Sequence, residues 1–135
     1  MSKIPGCANF DFREFYCPTV VGLSPVVRAN VAILAKELQV FRDLVGRPVQ
    51  VSSGWRSPAH NERVGGVKNS QHLTGKAVDF RVSKMTGPEI YHAIEALIKA
   101  GKMREGGLGC YDTWCHYDIR EDLDGNPKKA RWMGK

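Results

Sequence analysis

The stretch Ser70-Gln-His-Leu-Thr-Gly-Lys-Ala-Val-Asp79 and, further along, His116-Tyr-Asp118 set two imidazoles and a carboxylate beside short apolar runs. His72, Asp79 and His116 are residue types that zinc prefers. Three protein ligands leave one of four tetrahedral positions open, which is the ligand count of a hydrolytic centre; a structural zinc is closed by four. An aspartate within a strand also needs a partner, because burying an unpaired carboxylate is expensive. A cation shared with two histidines is such a partner. The other two of the four histidines, His60 and His92, fall on helical stretches among polar neighbours and are expected at the surface.

Ser53-Gly-Trp-Arg-Ser57 follows an apolar run, where the end of a strand gives way to a loop of the kind that carries function. Arg56 has the planar, two-pronged donor set that suits an oxyanion or a substrate carboxylate. The same position also suits a surface arginine beside a helix start. Gly65-Gly66 and Gly75 read as turn residues, and a glycine pair alone does not make a phosphate loop.

The elements that must position these groups follow from the pattern. Ser24-Pro25 is a helix start, with a capping hydroxyl and then proline in the first turn. Val27, Val31, Leu34, Leu38, Phe41 and Val45 recur at steps of three and four, one face of a helix of about five turns that ends at Gly46. Pro48 to Ser52 reads as a strand, and Ser57-Pro58 opens a short helix that runs out before Gly65. Ala77 to Val82 is a strand with Val78, Phe80 and Val82 on one face and Ala77, Asp79 and Arg81 on the other. Thr86-Gly-Pro-Glu89 is a capping box before a helix built on Ile90, Ala93, Ile94, Leu97 and Ile98. Gly107 to Tyr111 and Trp114 to Arg120 form a hairpin around Asp112-Thr113, with His116 and Asp118 on one face and Cys115, Tyr117 and Ile119 on the other. Four short strands with helices before and between them give an α+β fold with a small, mainly antiparallel sheet.

At 135 residues and 42% hydrophobic content, one domain spanning 1–135 with a real core is expected. Mean hydropathy is −0.34, and no apolar run approaches the roughly 18 residues of a membrane span. Met1 to Ala8 has no apolar core of a secretory signal, so synthesis in the cytoplasm is expected. The net charge is +6, which suits anionic partners such as nucleic acid, membrane or bacterial wall polymer. No helix-turn-helix, zinc-finger or RNP signature accompanies it, so nucleic acid is not expected as a partner. Cysteines 7, 17, 110 and 115 lack C-x-x-C spacing and read as small buried hydrophobes with free thiols; bridges 7–17 and 110–115 stay open.

One family resemblance gathers these residues together. Ser53-Gly-Trp-Arg-Ser-Pro58, Asn61, Gly65-Gly66, Asn69-Ser-Gln-His72, Gly75-Lys-Ala-Val-Asp79 and Gly106-Gly-Leu-Gly109 through His116-Tyr-Asp-Ile-Arg120 resemble the zinc D-Ala-D-Ala carboxypeptidases and peptidoglycan endopeptidases. The compact branch found in phages, prophages and bacterial wall enzymes is the most similar. Asn9-Phe10 through Glu14-Phe15 and the closing Arg131-Trp132 share the likeness, so it covers nearly the whole chain. It implies the fold common to these peptidases and the hedgehog signalling domain, zinc on His72, Asp79 and His116, and Arg56 acting on the scissile carbonyl or a substrate carboxylate. Ser70 and Gln71 would line the substrate pocket.

The resemblance breaks at one place. Many relatives carry an acidic general base three residues before the last histidine ligand, where this chain has Thr113. Asp112 is the nearest substitute, although a regular strand would set it about 13 Å from His116, so a turn must bring it back. Asp118 lies about 6.6 Å along the strand with the right parity; it is the rival base, or else it orients a ligand histidine. The reading is a monomeric zinc metallopeptidase that hydrolyses an amide bond in peptidoglycan stem peptides, of carboxypeptidase or endopeptidase type, in cell-wall lysis or remodelling. A phage or prophage endolysin released through a holin pore would fit. The alternative is a non-catalytic zinc-binding module of the same fold.

Overall fold

The computed structural model describes residues 3–15, 24–68 and 70–134. Asn69 and Cys17 lie outside them, and with Cys17 the 7–17 bridge. Helix α1, Pro25–Val45, starts where Ser24 Oγ accepts from Val27 N and ends at Gly46 in the left-handed region. Its stripe of Val31, Leu34, Leu38 and Phe41 is buried. Strand β1, Val49–Ser53, leads through Ser57, which caps helix α2, Pro58–Arg63. A 3-10 turn, Gln71–Thr74, precedes strand β2, Ala77–Val82. Helix α3, Gly87–Lys99, begins with both reciprocal bonds of the Thr86–Glu89 capping box. Strands β3, Gly107–Cys110, β4, Cys115–Asp118, and β5, Ala130–Met133, complete the chain.

The strands form one sheet in the order β1-β2-β4-β3-β5. All neighbours are antiparallel except β3 and β5, which run parallel. The fold is α+β as expected, with one strand more than the pattern of the sequence suggests. Strand β5 is short and lacks apolar alternation, so it carries no periodic signal. Its anchor is Arg131, whose guanidinium binds Glu95 of α3 at 3.0 Å and Glu105 at 2.8 Å. Such forked arginine–carboxylate pairs fix geometry as well as charge.

The two faces of the sheet differ as the alternation requires. Val78, Phe80, Val82, Leu108, Cys115 and Tyr117 join one buried cluster with Leu34, Leu38 and Phe41 of α1 and Ile90 and Ile94 of α3. Phe41 and Phe80 meet at 5.8 Å between ring centres. Each large side chain buried there contributes about 1.5–3 kcal/mol, which locks the register of β2 and β4. The opposite face carries Asp79, His116 and Asp118. A β-bulge between Val51 and Ser53 re-aims the end of β1 toward that face. Cys7, Cys110 and Cys115 are buried free thiols.

Candidate metal centre

Asp79 and His116 are cross-strand partners in the β2–β4 ladder, so their side chains leave the sheet side by side. His116 Nδ1 lies 2.9 Å from Asp79 Oδ1. His72 comes from the 3-10 turn and brings Nε2 to 3.3 Å from Asp79 Oδ2. One ligand atom from each of the three lies within 4.8 Å of the others. Outside the sheet, the turn needs other anchors, and it has them. Ser70 Oγ accepts from His72 N. Arg56 N donates to His72 O, Trp55 Nε1 to Leu73 O, and Asn30 Nδ2 to Thr74 O.

The far nitrogens of both imidazoles are also held. His72 Nδ1 is 2.7 Å from the Gly54 carbonyl, which can only accept, so Nδ1 carries the proton. His116 Nε2 is 2.7 Å from Asp118 Oδ2 and donates to it. His72 Nε2 and His116 Nδ1 then both present lone pairs to the Asp79 carboxylate. Acceptors do not face one another at this range unless a proton or a cation lies between them. Burial works against charge on His116, but its bonds to Asp118 and Asp79 outweigh that and raise its pKa. Burial likewise would raise Asp79, but the adjoining His116 and His72 imidazoles hold its carboxyl well below the usual carboxylate range whenever a proton lies between them. The pocket thus favours positive charge at the point where the three ligand atoms converge. His₂Asp with the outer nitrogens fixed by a carbonyl and a carboxylate fits a divalent cation such as zinc.

Asp118 is completely buried. Its oxygens accept from Gly107 N, from Arg120 N, Nε and Nη2, and from His116. Burial alone would raise its pKa, yet the bonds from Arg120 and His116 hold it well below the usual range. Glycine at 107 makes this possible, since a Cβ there would overlap the Asp118 carboxylate. The same logic applies at Gly109, where a Cβ would overlap the Trp132 ring. Trp132 therefore lies across β3 and reaches His116, with ring centres 5.0 Å apart.

Arg56 donates to Ser53 Oγ, Asn61 Oδ1 and Asp79 Oδ2. It lines the cleft, which resolves the alternative of a surface arginine. That cleft has a volume of about 470 Å³, and Ser70, Gln71, His72, Asp79 and His116 line it together with Arg56. Val64, Gly65, Gly66 and Val67 on one side and Tyr111, Trp114, Arg120 and Trp132 on the other complete its wall. Tyr111 and Trp114 stack at 3.8 Å, and Trp132 Nε1 donates to the Tyr111 hydroxyl. Asp112 is exposed at the hairpin turn between Tyr111 and Trp114. Neither Asp112 nor Asp118 is among the lining residues. His92 is exposed and His60 partly so. The Gly54 carbonyl that holds His72 Nδ1 is missed by side-chain reading, because any residue type supplies it.

The family model described as Peptidase M15 matches residues 8–118. The Zinc D-Ala-D-Ala carboxypeptidase of Streptomyces albus G is 42% identical over 53 residues, 38% of this chain and 21% of that protein. The Probable peptidoglycan L,D-endopeptidase MepK of Haemophilus influenzae is 32% identical over 81 residues, 56% of this chain and 40% of that protein. The chain therefore spans less than half the length of either curated relative. Among solved structures, the L-Ala D-Glu endopeptidase ChiX of Serratia marcescens is similar with a TM-score of 0.42 and 24% identity, covering 59% of this chain and 73% of that one.

Proposed function

The chain belongs to the peptidase M15 family, and from that premise we propose that it is a single-domain, monomeric zinc peptidase hydrolysing an amide bond in peptidoglycan stem peptides. The observation that carries this reading is the convergence of His72, Asp79 and His116 within 4.8 Å, in the wall of a cleft of about 470 Å³. Zinc held by these three residues would polarise the scissile carbonyl and lower the pKa of a water in the open position. Arg56, at the rim of the triad, meets the oxyanion or a substrate carboxylate. Ser70 and Gln71 line the path of the peptide. Asp118 keeps Nε2 of His116 protonated and so keeps Nδ1 free for the metal.

Asp112 is the proposed proton acceptor. Its carboxylate makes no hydrogen bond or ion pair among the described residues, and both of its hairpin neighbours on the β3 and β4 sides, Tyr111 and Trp114, wall the cleft. Asp118 is the rival, but all of its acceptor capacity is engaged by donors. A positively charged surface favours approach to the anionic wall, in lysis or remodelling, including a phage or prophage endolysin role. Among the described residues no helix is long and apolar enough to cross a membrane. Digestion of purified wall followed by mass spectrometry of the muropeptides, with zinc content measured alongside, tests the proposal. A product set with one new amine and one new carboxylate per cut supports it. A zinc-loaded protein that leaves the wall intact would point to the non-catalytic module.

A further inference from the structure

Asp79 and Trp114 each wall two cavities, not one. Beyond the metal cleft, a second lobe of about 330 Å³ is lined by Ser52, Asp79, Arg81 and Trp114. Residues two apart on a strand share a face, so Arg81 follows Asp79 along β2 by roughly 6.6 Å. Its register partner on β1 is Gln50, whose Oε1 accepts from Arg81 Nε at 3.3 Å. Nη1 and Nη2 have no protein partner among the described residues. Of the three arginines lining the two lobes, Arg56 and Arg120 are paired with Asp79 and Asp118. Arg81 is the one whose guanidinium is not spent on a protein carboxylate among the described residues. The Ser52 hydroxyl donates to the Asp79 carbonyl, which leaves the Arg81 guanidinium as the free donor of a lobe that Trp114 also lines.

We propose that Arg81 is a specificity residue that binds a carboxylate of the peptide substrate on the far side of Asp79. The inference rests on the peptidase reading above. An extended peptide advances about 3.3 Å per residue, so the carboxylate belongs about two residues from the amide at the metal. Two sources share this chemistry: the C-terminal carboxylate of the peptide, which would make the cut an exopeptidase one, and the free carboxylate of an internal residue, which would make it an endopeptidase one.

Three probes separate them: a synthetic stem pentapeptide, its copy amidated at the C-terminus, and its copy amidated at the internal carboxylate. Binding to the zinc-loaded protein is followed by stopped-flow tryptophan fluorescence, for which Trp114 in the lobe wall is a built-in reporter, and kcat and KM are measured on the same peptides. Arg81→Gln should weaken binding of the unmodified peptide about five- to ten-fold, the effect of losing a charged hydrogen bond at a half-open site. Arg81 is exposed, so the loss stays at this small size; KM should rise with it while kcat holds, and Arg81→Lys should recover part of the loss. Disappearance of the penalty on the C-terminal amide, or on the internal amide, supports the proposal and names the source. An equal penalty on all three peptides, or none on any, overturns it. If wild type binds the peptides but cleaves none, the peptidase reading fails while the affinity ratios still decide the role of Arg81. If it binds none, both fail.

Discussion

Replacing Asp118 with asparagine tests whether the metal is tuned from behind its ligand. Asparagine preserves the shape but turns one oxygen into a donor. On the Oδ1 side the new amide would meet Gly107 N at 2.9 Å, Arg120 N at 3.0 Å and Arg120 Nε at 2.8 Å, all donors. On the Oδ2 side it would meet Arg120 Nη2 at 2.7 Å and can be accommodated only if His116 Nε2, also at 2.7 Å, becomes an acceptor. That change moves the imidazole proton to Nδ1, the nitrogen that faces Asp79, and blocks it as a ligand. Either orientation disturbs the site. Zinc affinity should fall by about 10–100-fold, the usual effect of losing such a partner. The metal-free protein should lose about 3 kcal/mol, the lower end for breaking a buried pair, because the Arg120 side chain keeps 25% exposure. Chelator competition measures the first quantity and urea unfolding the second. Excess zinc should restore part of the hydrolysis. A zinc affinity within two-fold of wild type would refute this role, and loss of hydrolysis at unchanged affinity would make Asp118 the base in place of Asp112.

His72→Ala should leave the purified protein without stoichiometric zinc, which elemental analysis after reconstitution checks. Arg56→Ala should lower kcat by ~10²–10³, as for other donors aimed at a developing oxyanion, with zinc content retained. Gly109→Ala should push Trp132 off His116, since the added methyl overlaps the indole; loss of near-ultraviolet tryptophan dichroism together with weaker activity would register it. Burial, with Cys110 adding to it, pushes the Cys115 thiol up to about 12, so iodoacetamide at pH 8 should leave it unmodified in the native protein and alkylate it in urea.

Where the sequence was legible, each signal had a local cause. Ser24-Pro25, Ser57-Pro58 and Thr86-Gly-Pro-Glu89 are capping chemistry, and the structure has a helix start at each. The alternation at Ala77–Val82 fixed both the strand and the face of Asp79. The grouping of His72, Asp79 and His116 followed from residue type and from a motif, and the geometry brings them together. Strand β5 was not legible because its partners are remote: parallel pairing to β3 and a clamp from Glu95 and Glu105 hold it, not its own pattern. Trp132 could be matched only by likeness, since its place over Gly109 depends on that pairing. The Gly54 carbonyl had no signal at all. Asp112 remains the point where spacing alone does not reach, because the direction of an exposed side chain at a hairpin tip is not set by strand periodicity.

The three proposed ligands are not equally tied to the fold, and this bears on how the centre would fail. Asp79 and His116 are fixed by register: a one-residue slip of β4 on β2 would turn His116 into the core and Tyr117 out of it. The cost of moving Tyr117, Cys115 and Phe80, all fully buried, protects that pair as long as the sheet exists. His72 depends instead on a four-residue turn held by single hydrogen bonds from Arg56, Trp55 and Asn30. Each such bond contributes only about 1 kcal/mol. Metal loss should therefore begin at the turn, with the sheet still intact, and Arg56 links the two halves because its backbone holds the turn while its side chain holds Asp79. Of these two links, Arg56→Ala keeps the backbone bond that holds the turn and removes only the side-chain bond to Asp79, so zinc content measured beside every rate separates its effect on catalysis from any effect on the metal.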